Sequence, residues 1–363
     1  MALVLRDVFG NPSSAHAEGA RARREVERAR QRVAALVGAN PTGLVFTSGA
    51  TEANHLAIQG IARARRERGR HLVASAIEHP SVDAPLEVLR AEGWRVTRVA
   101  VGSDGCVDAD AVAAALTADT TMVSLQWANH ETGAIQPVEQ VAATARTRGI
   151  ALHVDATQAV GKLPVRLDEI PIDALSSSAH KLNGPKGVGF LALRGELALE
   201  PQLRGGAQER GRRAGTQNVA GIVGLGVAAE LAARELAARA ERCAALRDRL
   251  WDGISAKVPR ARRNGAPPRL LPNTLNVEFE DAPGDVLLEA LDGEGVSVSF
   301  GAACASGARE PSPVLRAMGR SAEQARSALR MSVGLGVDEA QIDRVLALLP
   351  DLVERVRAAA GPR

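Results

Sequence analysis

The sequence predicts an α/β fold with two domains: a large domain with a mostly parallel seven-stranded sheet flanked by helices, and a smaller α+β C-terminal domain. Three observations predict it. Short β-rich runs alternate with longer helical patterns over the first two thirds of the chain, which is typical of a parallel sheet covered on both faces. A long helical pattern over 219–257 then precedes a second set of strand patterns. Finally, a length of 363 residues suggests about two domains, expected over 1–236 and 237–363.

Seven runs in the large domain are interpreted as strands because they are short, apolar and rich in β-branched residues. They are LVFTS (44–48), HLVAS (71–75), RVTRVAV (95–101), TMVSLQW (121–127), IALHVD (150–155), IDALSSS (172–178) and VGFLAL (188–193). Helical patterns fill most gaps, for example over 52–68 and 137–148. In the small domain the connector RNGAPPRLLPN (263–273) precedes strands TLNVEF (274–279), VSVSF (296–300) and LRMSVG (329–334), and a C-terminal helix begins near Asp338.

The composition argues against several classes of function. A hydrophobic content of 45% and a charged content of 24% are ordinary for a globular protein. The net charge is only +3, and no Lys/Arg block is interleaved with aromatic residues, so we expect no direct contact with nucleic acid. No apolar run approaches membrane-spanning length, and MALVLRDVFG does not have a signal-peptide pattern. Three distant cysteines form neither a disulfide framework nor a CxxC pair, which favours a reducing cytoplasm.

Two strand ends carry groups with alternative roles. In FTSGATEANHLAI (46–58), the hydroxyls of Ser48 and Thr51 and the first helical N–H groups could bind a phosphate, although Thr51 taken alone is better interpreted as an N-cap. In HVDATQ (153–158), Asp155 ends an apolar strand, where it could pair with a protonated ring nitrogen or equally cap a following helix. The residues alone leave both alternatives open.

Two further strand ends add an imidazole and an amine. His79 follows HLVAS and could stack on a flat ring or relay a proton, although a lone histidine is more often a hydrogen-bonded loop residue. SSSAHK places Ser178, His180 and Lys181 together, in a chain where only four of the 45 Lys and Arg residues are lysines. An amine can lose its proton and form a Schiff base, whereas a guanidinium cannot readily do either. Together the strand ends supply the parts of a pyridoxal 5′-phosphate (PLP) site.

The order and wording of the motifs resemble the cysteine desulfurases, in the class V aminotransferase group of fold-type I PLP enzymes. The resemblance covers nearly the whole chain, through GNPSSAHAEG, FTSGATEANHLAIQG, EHPSV, NHETGAIQPV, HVDATQAVGK, SSSAHKLNGPKGVG, GGAQERGRRAGTQN and GAACASGAREPSPVLRAMG. It implies the PLP fold-type I architecture, with the catalytic cysteine loop in the small domain.

The resemblance also implies roles for individual residues. Lys181 would be the Schiff-base lysine, Asp155 would hold the pyridinium proton, and Gln158 would bind the phenolate oxygen. His79 would lie over the ring and move protons. The phosphate would be bound by Thr51, Ser178 and His180, together with Thr216 from the neighbouring subunit of a homodimer. Contact with the cofactor or the substrate would come from Asn129 and His130. Arg330 would bind the substrate carboxylate, and Cys304 would be the nucleophile.

The implied activity is the conversion of L-cysteine to L-alanine, with the sulfur held on Cys304 as a persulfide for an Fe–S scaffold or for tRNA thiolation. A selenocysteine lyase, another class V lyase or transaminase, and an inactive homologue acting as a scaffold remain alternatives. The chain departs from the family pattern in three places. A strand and an Ala-Thr-Thr turn normally precede GNPSS, so about two dozen residues are expected to be missing, at a cost to stability and activity. His130 replaces a usual Asn, and Asn183 replaces a common Tyr.

Overall fold

The computed structural model describes residues 1–301 and 311–360. Backbone contacts group the chain into two compact units. The first unit comprises Met1–Val99, Asp108–Trp127 and Pro137–Leu236, and the second comprises Ala100–Val107, Ala128–Gln136 and Ala237–Arg363.

The helices are α1 (Ala2–Asp7), α2 (Ala17–Leu36), α3 (Ala50–Ala64), α4 (Pro80–Ala91), α5 (Ala109–Ala115), α6 (Val138–Thr147), α7 (Val219–Lys257), α8 (Gly284–Gly293), α9 (Pro313–Ala317), α10 (Ala322–Arg326) and α11 (Glu339–Ala360). The strands are β1 (Leu44–Thr47), β2 (His71–Ser75), β3 (Arg95–Val99), β4 (Thr120–Gln126), β5 (Ala151–Asp155), β6 (Ala174–Ser178), β7 (Gly189–Leu193), β8 (Ala261–Asn264), β9 (Thr274–Phe279), β10 (Ser299–Phe300) and β11 (Ala328–Ser332). The α7 helix contributes its first part to one unit and its second part to the other.

The first unit contains a seven-stranded sheet with the order β1-β7-β6-β5-β4-β2-β3. Five adjacent strands of this sheet run parallel to one another, namely β6, β5, β4, β2 and β3. Strand β7 is antiparallel to both β6 and β1. This confirms the expected mostly parallel sheet flanked by helices. The third strand is shorter than predicted because Val101 leaves the sheet and forms an isolated bridge with Val107.

The α3 helix covers the middle of this sheet because its apolar residues fall on one face. It packs against β5, β6 and β7, and its buried residues include Leu56, Ile58 and Ile61. They join a core cluster with Leu72 of β2 and Leu191 of β7. Full burial of such a side chain is worth about 1.5–3 kcal/mol, so the helix is fixed over the strand ends that carry the polar residues.

The second unit is built on an antiparallel sheet with the order β10-β11-β9-β8. Its core combines Ile254 of α7, Phe279 of β9 and Val353 of α11. The connector expected over 263–273 in fact begins inside β8, which pairs with β9. The strand expected over 296–300 forms ladder pairs only at Ser299 and Phe300. Within the described residues, no helix is long and apolar enough to cross a bilayer.

Candidate functional site

The carboxyl ends of the parallel strands meet at one edge of the sheet in the first unit. Asp155 is the last residue of β5, and Ser178 is the last residue of β6. The register pairs Asp155 with Ser176, so the carboxylate lies beside the end of β6. His79 follows β2 at the start of α4. The structure therefore places the expected acid, imidazole and amine at the edge where open α/β sheets bind ligands.

Asp155 is a buried carboxylate held by neutral donors. Its Oδ1 accepts a hydrogen bond of 2.9 Å from the backbone N–H of Thr157, and its Oδ2 accepts one of 2.8 Å from Nδ2 of Asn54. Only 6% of the residue is exposed. The alternative interpretation as a helix N-cap is wrong, because residues 156–162 form turns rather than a helix. The two hydrogen bonds orient the carboxyl group of Asp155, which could pair there with a cationic group of a ligand.

His79 is the N-cap residue of α4. Its Nδ1 accepts from the backbone N–H of Ser81 at 3.0 Å and lies 2.7 Å from the Ser81 hydroxyl. Burial lowers the pKa of His79, the charge of Asp155 opposes this shift, and the charge of Lys181 adds to it. Near neutral pH the ring is therefore an uncharged group that can accept or donate a proton.

A single 3₁₀ turn, Ala179–Leu182, carries the amine. The hydroxyl of Ser178 lies 2.9 Å from Nδ1 of His180, which fixes the imidazole over the start of the turn. Asn183 ends the turn in the left-handed conformation, with φ of 65°. Asparagine tolerates this conformation better than most residues do, so the departure from the family's Tyr fits the local backbone.

Three of the four lysines lie close to this turn. Burial lowers the pKa of His180, and the positive charges of Lys181, Lys186 and Lys162 lower it further. Nζ of Lys162 donates to the carbonyl of Gln158 at 3.0 Å and to its Oε1 at 2.9 Å. Because that oxygen is engaged, the side-chain NH₂ of Gln158 is the group that can donate to an acceptor on a ligand. The cationic cluster suits an anionic ligand such as a phosphate.

The α3 helix begins beside this turn. Its N-cap is Gly49, which provides no side-chain cap, so the expectation that Thr51 is the N-cap is wrong. Thr51 instead lies in the first turn, and its side chain is exposed. A Cβ atom placed on Gly49 would lie 3.7 Å from the Ser178 hydroxyl. The N-terminus of α3 and the end of β6 are therefore close together, as a phosphate site requires.

Thr216 lies exposed in the loop that precedes α7. Two ion pairs fix this part of the chain within the first unit. Glu209 bonds to Arg30 at 2.8 Å and 3.0 Å, and both side chains are at least 95% buried. Arg213 bonds to Glu52 of α3 at 2.8 Å. The loop that carries Thr216 is therefore held against α2 and α3.

The second unit contains Asn129, His130 and Arg330. The Arg330 guanidinium donates to the carbonyl of His130 at 2.8 Å and to the Ser299 hydroxyl at 2.9 Å. Oδ1 of Asn129 accepts from three donors of Glu131 and Thr132, so this oxygen organises the turn itself.

Glu131 is a buried carboxyl beside these residues in the second unit. Its Oε1 lies 3.6 Å from Nε2 of His130, and its Oε2 accepts from the Ser312 hydroxyl at 2.5 Å. Burial raises the pKa of Glu131, while the Ser312 hydrogen bond and the charge of Arg330 oppose the shift. His130 therefore lies beside a buried carboxyl group.

Cys304 lies outside the described residues. The other two cysteines, Cys106 and Cys243, are buried. Burial raises the pKa of the Cys106 thiol to about 11, so it is a poor thiolate at neutral pH. Within residues 1–301 and 311–360, no group of His, Cys, Asp or Glu side chains could hold a metal ion.

Sequence reasoning missed three buried residues at this edge. Asn54 and Ser81 connect Asp155 to His79 through hydrogen bonds. Glu78 is a buried carboxyl whose Oε1 accepts hydrogen bonds from the Ser75 hydroxyl at 2.5 Å and from the backbone N–H of Gln126 at 3.1 Å. A signal for Asn54 did exist: it is a polar residue among the buried apolar positions of α3. Nothing in the local pattern distinguished the other two.

Comparisons with known proteins agree with this geometry. The family model described as Aminotransferase class-V matches residues 1–345. The chain is 48% identical over 356 residues to a cysteine desulfurase of Cereibacter sphaeroides, covering 98% of this chain and 91% of the relative. It is 44% identical over 354 residues to a cysteine desulfurase of Nostoc sp., covering 98% and 88%. A solved structure titled NifS-like protein has a TM-score of 0.91 at 36% identity, covering 98% of this chain and 94% of that chain.

Proposed function

The chain belongs to the class-V aminotransferase family, and we propose that it is a PLP-dependent cysteine desulfurase. It converts L-cysteine to L-alanine and transfers the sulfur to Cys304 as a persulfide. Relatives named cysteine desulfurase, at 40–48% identity over nearly the whole chain, support this activity. The observation that carries the proposal is the placement of buried Asp155 and the Lys181 turn at one sheet edge.

The residues at this edge fit the cofactor on three counts. Asp155 is a buried carboxylate with neutral donors, as a protonated ring nitrogen requires. The N-terminus of α3 has no side-chain cap. Lys162 and Lys186 add positive charge near His180. When bound, pyridoxal phosphate supplies an electron sink that stabilises negative charge on the α-carbon of an amino acid.

Several residues would hold the cofactor at this edge. Lys181 would be its covalent anchor and, once displaced, an amine able to take a proton from the substrate. Asp155 would keep a proton on the ring nitrogen, and Gln158 would donate to the ring oxygen. His79 would lie against the ring and exchange protons through its Nε2. The phosphate would be bound by Thr51, Ser178 and His180, and by Thr216 of a second subunit in a homodimer.

The substrate is proposed to be bound by the second unit. Arg330 would bind the carboxylate of L-cysteine, because a guanidinium held in place by the His130 carbonyl and the Ser299 hydroxyl is a planar donor group that suits a carboxylate. Asn129 and His130 would contact the cofactor or the substrate.

Cys304 is proposed to accept the sulfur. Its thiolate forms an S–S bond to the substrate sulfur while the Cβ–S bond breaks and its electron pair goes to carbon. Protonation of that carbon completes L-alanine, and Cys304 keeps the sulfur as a persulfide. An acceptor protein, such as an Fe–S scaffold, would then take the sulfur in a reducing cytoplasm.

The first experiment measures the visible absorbance of the chain with PLP, before and after addition of L-cysteine. We expect a band of bound cofactor that changes with cysteine, together with release of alanine and formation of a persulfide. Lys181→Ala should remove the covalent band. Cys304→Ser should keep the band and lose the persulfide, whereas Cys243→Ser should retain both. Unchanged desulfurase turnover in Cys304→Ser would contradict the proposed sulfur path.

A further inference from the structure

We propose that Asn54 is a positioning residue that fixes the orientation of Asp155 and, through Ser81, favours the neutral form of His79 that carries its proton on Nε2. The inference rests on the proposed function, since it concerns two residues expected to touch the cofactor. It concerns how one buried amide controls both of them.

Asn54 lies in α3 and has no exposed surface. Its Nδ2 donates to Oδ2 of Asp155 at 2.8 Å and to Oγ of Ser81 at 2.9 Å. The amide cannot be turned around, because its oxygen would then face a carboxylate oxygen with no hydrogen between them. Both N–H groups are therefore committed, and the second carboxylate oxygen of Asp155 is held in place.

Ser81 passes this constraint to His79. Its Oγ accepts the Asn54 hydrogen, and its own hydroxyl hydrogen points to Nδ1 of His79 at 2.7 Å. The backbone N–H of Ser81 donates to the same nitrogen at 3.0 Å. A backbone N–H cannot rotate away, so Nδ1 must be an acceptor. The neutral ring therefore carries its proton on Nε2, and proton exchange takes place at that atom.

The charged groups that face His79 are Asp155, Asp83 and Lys181. The two carboxylates favour protonation of the ring, while burial and the lysine oppose it. A proton on Nδ1 would point at the backbone N–H of Ser81. It would also require the Ser81 hydroxyl to turn its own hydrogen away from Nδ1, while the Asn54 hydrogen already occupies one of the two lone pairs of that oxygen and restricts its orientation. The network therefore keeps His79 neutral beyond what burial and charge would do.

The test is an NMR titration of the full chain carrying ¹⁵N-labelled histidine, without cofactor and again with pyridoxal phosphate. The His79 signal is identified by its loss in His79→Gln. We expect the Nε2–H tautomer in the unmodified chain. In Asn54→Leu the Asn54 hydrogen no longer restricts the orientation of the Ser81 hydroxyl, which can turn and accept from Nδ1. The pKa of His79 should therefore rise by about half a unit to one unit, the value of one hydrogen bond.

Two further variants make the result decisive. Ser81→Ala should raise the pKa of His79 in the same direction, and it decides the question if Asn54→Leu does not fold. Asn264→Leu is the matched control: Asn264 is a buried asparagine of the second unit that donates to Asn276, and its loss should leave the His79 titration unchanged.

A His79 ring protonated on Nδ1, or a titration unchanged in both Asn54→Leu and Ser81→Ala, would overturn the proposal. The measurement without cofactor is independent of catalysis. Absence of alanine and persulfide would therefore count against the proposed function alone, while an unchanged His79 titration would count against the role of Asn54 alone.

Discussion

Glu78 should make the stability of this protein depend on pH in an unusual direction. The carboxyl is 4% exposed, and its Oε1 accepts from Ser75 at 2.5 Å and from the backbone N–H of Gln126 at 3.1 Å. Its Oε2 is buried without a hydrogen-bond partner. Burial raises the pKa from 4.5 to about 8, against the effect of the two hydrogen bonds. At neutral pH the folded protein therefore holds a protonated Glu78.

The direction in which stability changes with pH follows from proton binding. Between pH 4.5 and about 8 the folded chain holds a proton on Glu78 that the unfolded chain has lost. The contribution of Glu78 to stability is therefore fully present below pH 4.5 and is lost as the pH rises through 8. The slope is about 1.4 kcal/mol per pH unit, so the loss across the window is at most about 5 kcal/mol.

Glu78→Gln removes the titration and retains the shape. The amide oxygen can accept both hydrogen bonds, and the NH₂ group replaces a protonated oxygen in the same position. We expect the free energy of unfolding of the variant to match that of the unmodified chain near pH 5 and to exceed it increasingly up to pH 8. Urea unfolding at pH 5, 6, 7 and 8 measures this, with coincident circular dichroism and fluorescence transitions as the test of two-state behaviour.

Glu139→Gln is the control, because it makes the same change at an exposed glutamate of α6. A difference between Glu78→Gln and the unmodified chain that stays constant from pH 5 to pH 8 would refute the reasoning, because Glu78 would then be ionised in the folded protein.

Two pairs of variants test how the site is held. Glu209→Gln removes the buried charge partner of Arg30 and leaves the guanidinium only the half-exposed Glu27, so it should cost about 3–5 kcal/mol of unfolding free energy. Glu87→Gln, at an exposed pair, should cost less than about 1 kcal/mol in the same urea experiment. Gly189→Ala would place a Cβ 2.7 Å from backbone atoms of Gly49 and should cost about 1–3 kcal/mol. Gly49→Ala should cost less than about 1 kcal/mol, and equal melting temperatures for these two glycine variants would contradict the packing argument.

Most strands of the large sheet could be predicted because they are short runs rich in apolar and β-branched residues. Strand β5 ends at Asp155, and β6 ends at Ser178, as the sequence indicated. The ends of edge strands were less predictable. Strand β10 includes only two residues of the predicted five-residue strand VSVSF (296–300), because pairing with β11 stops at Ser299. Apolar residues mark a strand, but the partner strand decides its length.

The hydrogen-bond network could not be predicted for a different reason. Asn54 and Asp155 are separated by 101 positions in the chain, and Asn54 and Ser81 by 27. Their contact depends on the angle at which α3 crosses the sheet and on side-chain rotamers, neither of which leaves a local pattern. The two acceptors of the Asn54 amide can therefore be identified only from the three-dimensional structure, even when the sequence locates each strand end correctly.

The use of lysine connects the composition to the site. Only four of the 45 Lys and Arg residues are lysines, and Lys162, Lys181 and Lys186 all lie close enough to His180 to affect its pKa. Position 181 requires an amine if the role of Lys181 is covalent. Lys162 has a different reason, because its compact ammonium donates to both the carbonyl and the side-chain oxygen of Gln158, a geometry that a planar guanidinium does not reproduce. In a chain that otherwise prefers arginine, Lys162 and Lys181 therefore occupy positions where the shape and chemistry of the cation matter.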